Sequence, residues 1–131
     1  MDLYTDTVVD ALQIPVGTYY ATHVPIHAVN VSGGSKNLVL AQFEATNPLS
    51  YTVGLGRYVR RSDGARIGPA TMDNITPAMH HRVVNLGVWD AQPIMNATYS
   101  LVVYAIASAA KPGDSIKIEQ GYGFLQVMVF E

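Results

Sequence analysis

The sequence predicts an all-β protein, an antiparallel β-sandwich of about eight strands preceded by a short N-terminal arm or helix. Runs rich in Tyr, Thr, Val and Ile recur along the chain at roughly 8 to 15 residues, with clusters of Gly, Pro, Asn and Asp between them. The last third, Ala97 to Glu131, carries two long strand-forming runs that barely alternate between apolar and polar. A strand with one wet face alternates, so these two are expected to be covered on both faces. At 131 residues the chain is one domain of ordinary size, divided here into an arm or short helix over 1–16 and a sandwich over 17–131.

The elements follow in order. Thr5 or Thr7 can cap a short helix carrying Val8, Val9 and Leu12, with Pro15 and Gly17 to end it, and an extended arm fits the same residues. Thr18 to Val24 and Ile26 to Val31 read as strand, with Pro25 as a bend or edge between them. Ser32 to Asn37 is a loop. Leu38 to Thr46 turns Leu38, Leu40 and Gln42 one way and Val39, Ala41 and Phe43 the other. After the turn at Asn47 to Ser50, Tyr51 to Arg60 continues as strand, and Gly54 and Gly56 within it suggest a bulge or a close backbone approach. Ser62-Asp63-Gly64 is a turn, and Gly68 to Pro77 looks irregular. His80 to Val88 is strand with Trp89 at its end, and Asp90 to Ala97 is loop. The two long runs then flank a turn at Lys111-Pro112-Gly113-Asp114 and the alternating Ile116 to Glu119, and Gly121 and Gly123 permit a reversal into the last strand.

Composition narrows the function classes. There is no cysteine, which removes thiolate chemistry and fits synthesis in a reducing cytoplasm. The N-terminus carries Asp2, Asp6 and Asp10 rather than a basic and then apolar leader, and no apolar stretch is long enough to span a bilayer, so neither export signal nor membrane partner is expected. Only 14% of residues are charged while 49% are apolar, against about 25% charged in an ordinary domain. Low charge with doubly apolar strands points to an oligomer or a part of a larger assembly. A net charge of −2 argues against nucleic acid, and Arg57, Arg60, Arg61 and Arg66, split by Asp63, read as a solvated hairpin tip.

Catalytic and metal-binding chemistry is weakly written in the sequence. His80 and His81 are adjacent and would point to opposite faces, while His23 and His27 lie about 13 Å apart along a strand. Neither pair makes a metal site, so no metal and no cofactor is expected. Gly-x-Ser-x-Gly and the phosphate-loop motif are absent, and nothing in the spacing selects Glu44 with Glu119 as a glycosidase pair. No catalytic residue is assigned. Trp89, Tyr19, Tyr20, Tyr51 and Tyr58 could stack on sugar, and Trp89 with Asp90 at a strand end is the expected ligand surface.

The tyrosine-rich strand Tyr99 to Ala107, the turn Gly113-Asp114, the alternating Ile116 to Glu119 and the step Tyr122-Gly123-Phe124-Leu125 resemble the trimeric jelly-roll heads of the tumour-necrosis-factor and complement-head type. Similar small jelly rolls recur in tail fibres and head decorations of bacterial viruses. The resemblance implies a sandwich of jelly-roll type and a homotrimer, with Leu101, Val103, Leu125, Val127 and Val129 meeting the same strands of two other copies. It implies a non-enzymatic virion protein, made in the host cytoplasm, that decorates or cements a bacteriophage capsid through contact with the major capsid protein or another virion protein. The alternative is a fibre-tip domain that binds a cell-surface glycan.

Overall fold

The computed structural model describes residues 2–6, 11–77, 82–121 and 123–131, which form ten β-strands and no helix. They are β1 (Asp2–Asp6), β2 (Leu12–Gly17), β3 (Val24–Val31), β4 (Lys36–Thr46), β5 (Val53–Arg61), β6 (Arg66–Ile75), β7 (Arg82–Asp90), β8 (Ala97–Ile106), β9 (Ser115–Ile118) and β10 (Phe124–Phe130). Ten strands fill eight positions. Ala45 of β4 pairs with both Arg82 and Ile118, and Gln42 with both Asn85 and Phe124, so β9 and β10 lie end to end on one flank of β4 and β7 lies on the other. On their far side β10 takes β1 and β9 takes β2, both antiparallel. The first sheet is therefore β1/β2, β10/β9, β4, β7.

The second sheet is β3, β8, β5, β6, all antiparallel. The end of β2 crosses into it, where Val16 and Gly17 pair parallel with Ala105 and Ile106. Apart from the β5–β6 hairpin and the two collinear pairs, every connection passes from one sheet to the other. That connectivity is an antiparallel sandwich of jelly-roll type.

Between the sheets lies a single apolar core. The first sheet contributes Ile14, Val39, Phe43, Ile116, Ile118, Leu125, Val127 and Val129, and the second contributes Val29, Val31, Leu55, Val59, Tyr99, Leu101 and Val103. Each such aliphatic side chain is worth about 1.5–3 kcal/mol of transfer free energy on burial. Leu101, Val103, Leu125, Val127 and Val129 are fully buried inside one chain, so they do not form a surface between copies. The sequence marked both runs as strands, β8 and β10, but took their core-facing residues for an interface. Because side chains alternate with period two, one residue separates core from surface, and β10 points Phe124, Gln126, Met128 and Phe130 outward.

Two other expectations change. Residues 66–75 form the regular edge strand β6, in which Pro69 needs no ladder donor, and β6 leaves register with β5 only at a bulge between Arg57 and Val59. Thr18 to His23 is a loop rather than a strand, and β3 begins at Val24 with a bulge between Pro25 and His27. Where the N-terminal residues left helix and extended arm open, Asp2–Asp6 and Leu12–Gly17 are strands; Val8 and Val9 lie outside the described residues.

Candidate interaction surfaces

The outward face of the first sheet carries a row of apolar side chains. In register across four strands stand Leu3, Met128, Leu38 and Trp89, a row that runs from the β1 edge to the β7 edge. Leu3 is 56% exposed and Trp89 49%, while Leu38 and Met128 between them are half-buried by their neighbours. Phe130 packs on Trp89 with ring centroids 5.7 Å apart, and the Lys36 ammonium lies 5.1 Å above the Trp89 ring. The parallel row below holds Thr5, Gln126, Leu40 and Gly87, and Phe124, Gln42 and Asn85 form the next. A shallow hollow of about 360 Å³ opens over Gly87 between Leu40 and Phe124.

Trp89 and Asp90 part company, as neighbours on a strand must. Asp90 points inward and is only 4% exposed, held by Arg61, whose Nη1 donates to Oδ1 at 3.2 Å and Oδ2 at 3.0 Å, and by the Tyr99 hydroxyl, which donates to Oδ2 at 2.5 Å. The Asn37 amide donates to the same hydroxyl at 2.9 Å. Burial beside this carboxylate pushes the Tyr99 phenol well above its ordinary value. Arg61 also grips Asp63 with Nε at 2.8 Å and Nη2 at 2.7 Å, and it donates to the Gln92 carbonyl. The cluster ties β4, β5, β7 and β8 together at one end of the sandwich. Asp90 is thus buried among structural partners and not on a ligand surface, whereas Trp89 is exposed on the outward face. Arg57 departs from the solvated hairpin tip too: it is 8% exposed and bridges Asp73 on β6 to the Asn85 carbonyl on β7.

The outward face of the second sheet carries a stacked aromatic group. Glycine at 56 leaves room for the Tyr104 ring to lie on the backbone, since a Cβ there would collide with that ring. His23 stacks on Tyr104 at 4.6 Å and 8°, and its Nδ1 shares a 2.7 Å hydrogen bond with the Tyr58 hydroxyl. The Arg66 guanidinium sits 4.6 Å from the Tyr58 ring centre. Tyr19 and Tyr20, 88% and 94% exposed, stand on the loop that leads into this group. Tyr51 lies elsewhere, its hydroxyl donating to Asp114 at 2.5 Å, so the five aromatics do not assemble into one platform.

The remaining candidates have structural partners. His27 faces inward, its Nδ1 3.0 Å from Asp6 Oδ2, and clasps β1 to β3, whereas His23 is on the outer face. His80 and His81 lie outside the described residues. Glu119 accepts the Thr46 hydroxyl at 2.6 Å, and its backbone amide donates to the Glu44 carbonyl. Sequence reasoning missed the Asp90–Arg61–Tyr99–Asn37 cluster and the His23–Tyr104–Tyr58 stack because their members are far apart in the chain.

No family model matches the sequence, and no curated protein matches it. Solved structures do. The VP2 subviral particle of infectious bursal disease virus matches with a TM-score of 0.67 at 13% identity, over 98% of this chain and 32% of that one. The T13 particle of the same virus gives 0.68 at 12%, over 98% and 31%. Its derived T=1 particle gives 0.63 at 12%, over 98% and 32%. The chain thus spans about a third of the length of each, and at this identity the likeness is one of fold: the chain has the jelly-roll sandwich found in proteins of those virus particles.

Proposed function

We propose that the protein is a non-enzymatic structural component of a virus particle, a homotrimer that decorates or cements a bacteriophage capsid. The observation that carries this reading is the fold it shares, along almost its whole length, with proteins of VP2 particles. Its carboxylates support a structural role. Asp90 binds Arg61 and Tyr99, Asp114 binds Tyr51, Asp6 binds His27 and Glu119 binds Thr46, so each joins elements distant in sequence. The apolar outer face of the first sheet supplies the material for association.

The test is sedimentation of the purified protein with capsid shells assembled without it. Saturable co-sedimentation in multiples of three copies per lattice position is expected, and a protein that stays in the supernatant at micromolar concentration overturns the reading. A second reading, a glycan-binding fibre tip, is favoured by one observation, the exposure of Tyr19 and Tyr20 beside the His23–Tyr104 stack. Glycan-array binding lost on Tyr20→Ala supports that reading; an array without signal removes it.

A further inference from the structure

We infer that the outward side of β3, β8 and β5 holds an acidic sugar, its acid group beside Arg60 and its neutral part across Thr98. The inference deepens the glycan reading above, on which it rests, by naming the class of ligand and the residues that take it. In register across the second sheet run Ala28, Ser100, Arg60 and Arg66. Two arginines thus stand directly opposite each other on β5 and β6, a pairing that costs stability. The other two cations of this hairpin are neutralised, Arg57 by Asp73 and Arg61 by Asp63 and Asp90. Arg60 and Arg66 are exposed, and among the described residues no carboxylate pairs with either. Arg66 lays its guanidinium on the Tyr58 ring. Arg60 lines a hollow of about 200 Å³ together with Ser62, Thr98 and Ser100. Ser62 Oγ accepts the Thr98 amide at 3.1 Å, which leaves its own proton to give. A carboxylate or sulfate in this hollow meets a guanidinium without a counter-ion and hydroxyl donors beside it.

Thr98 is also the wall of a second hollow, of about 270 Å³, lined by Tyr4, Asn30, Ser32 and Asn96. No charged side chain lines it. It presents amides, hydroxyls and one aromatic ring, the groups that meet the hydroxyls and the apolar face of a pyranose. Thr98 Oγ1 donates to Asn30 Oδ1 at 2.6 Å, so the Asn30 amide protons point elsewhere and are available to a ligand. An acid-binding hollow next to a neutral hydrogen-bonding one fits an oligosaccharide with one acidic unit. A bare inorganic anion would use only the first hollow. A nucleic acid needs a train of cations along its phosphates, which one pair of arginines in a chain of net charge −2 does not supply.

The experiment is calorimetric titration of the full chain with sialyllactose, sulfated lactose, lactose and sodium sulfate. The first two add a carboxylate or a sulfate to the same neutral disaccharide, and the tighter of them identifies the acid group. It is expected to bind about tenfold or more tighter than lactose. Arg60→Gln is expected to remove that advantage at an unchanged far-ultraviolet spectrum, and Asn30→Ala to weaken the acidic sugars and lactose alike. Lys111→Gln, an exposed cation beyond the other end of β8, is the control and is expected to bind as wild type does. Lactose bound as tightly as the acidic sugars overturns the acid site and leaves the glycan reading standing. Binding lost in Tyr20→Ala but kept in Arg60→Gln moves the sugar to the aromatic loop, with the same result. Sodium sulfate bound as tightly as the sugars shows an anion site without sugar recognition and overturns the inference. Absence of binding by all three sugars overturns it too, and the glycan array then decides the broader reading by itself.

Discussion

Tyr99 has one hydroxyl and uses it twice, donating a hydrogen bond to Asp90 and accepting one from Asn37. Removing it leaves a buried carboxylate with one partner fewer and an amide donor with none, in a place where the Asn37 Oδ1 already lacks a hydrogen-bond partner among the described residues. Tyr99→Phe is therefore expected to cost about 1–3 kcal/mol, read as a lower denaturant midpoint at unchanged slope. Asp63 behaves differently because it is at the surface. The Arg61 hydrogen bonds hold its carboxyl down at about 2, below the ~3.9 of an unfolded aspartate. A depressed folded value means that the contribution is present above about pH 4 and disappears as pH falls towards 2. Thermal midpoints measured between pH 5 and pH 2, at roughly constant salt, are expected to fall less in Asp63→Asn than in wild type. None of this was legible in the sequence, where Asp90 looked like a neighbour of Trp89 and Arg61 like a member of a basic tip. Separations of 29 residues from Arg61 to Asp90 and 62 from Asn37 to Tyr99 carry no local signal.

At the scale of elements, β10 shows what patterning can and cannot convey. Its composition announces a strand covered on both faces, and the structure gives it two neighbours, β1 and β4, and an inward face in the core. Which face is inward depends on one residue of register, and that is set by pairing with distant strands. The alternation predicts a sharp contrast. Leu125→Ala is expected to cost about 2–5 kcal/mol, and Gln126→Ala, one residue on, about 0.5 or less, by equilibrium denaturation. Local signals served better where the backbone itself was constrained. Asp63-Gly64 and Pro112-Gly113 are turns with glycine at φ +92° and +89°, and Gly54 and Gly56 do mark close approach, by Met72 and Tyr104. The strand β6 was hidden by Gly68 and Pro69, residues an edge tolerates and a central strand does not.

For the whole molecule, the all-β sandwich was readable from spacing. About eight strands were expected where the described residues form ten, because β1, β2 and β6 carry weak local signals. The connections between strands were not readable at all. Most pairings join distant parts of the chain, with β1 against β10 the extreme case. A sandwich that must close such loops before gaining contacts is expected to refold in milliseconds to seconds, which stopped-flow fluorescence of the sole tryptophan, Trp89, would measure.

The pairing of β1 with β10 sets Asp2 opposite Val129, so the two ends of the fold lie side by side on adjacent strands. A short linker could join them and turn that most distant contact into a hairpin, with new termini cut at the exposed turn around Gly113. Such a circular permutant is expected to keep the sandwich and to refold faster than the parent, because its slowest loop closure has been made covalent. The same geometry would let the sandwich be carried as an insertion within a longer chain, entered and left at a single corner.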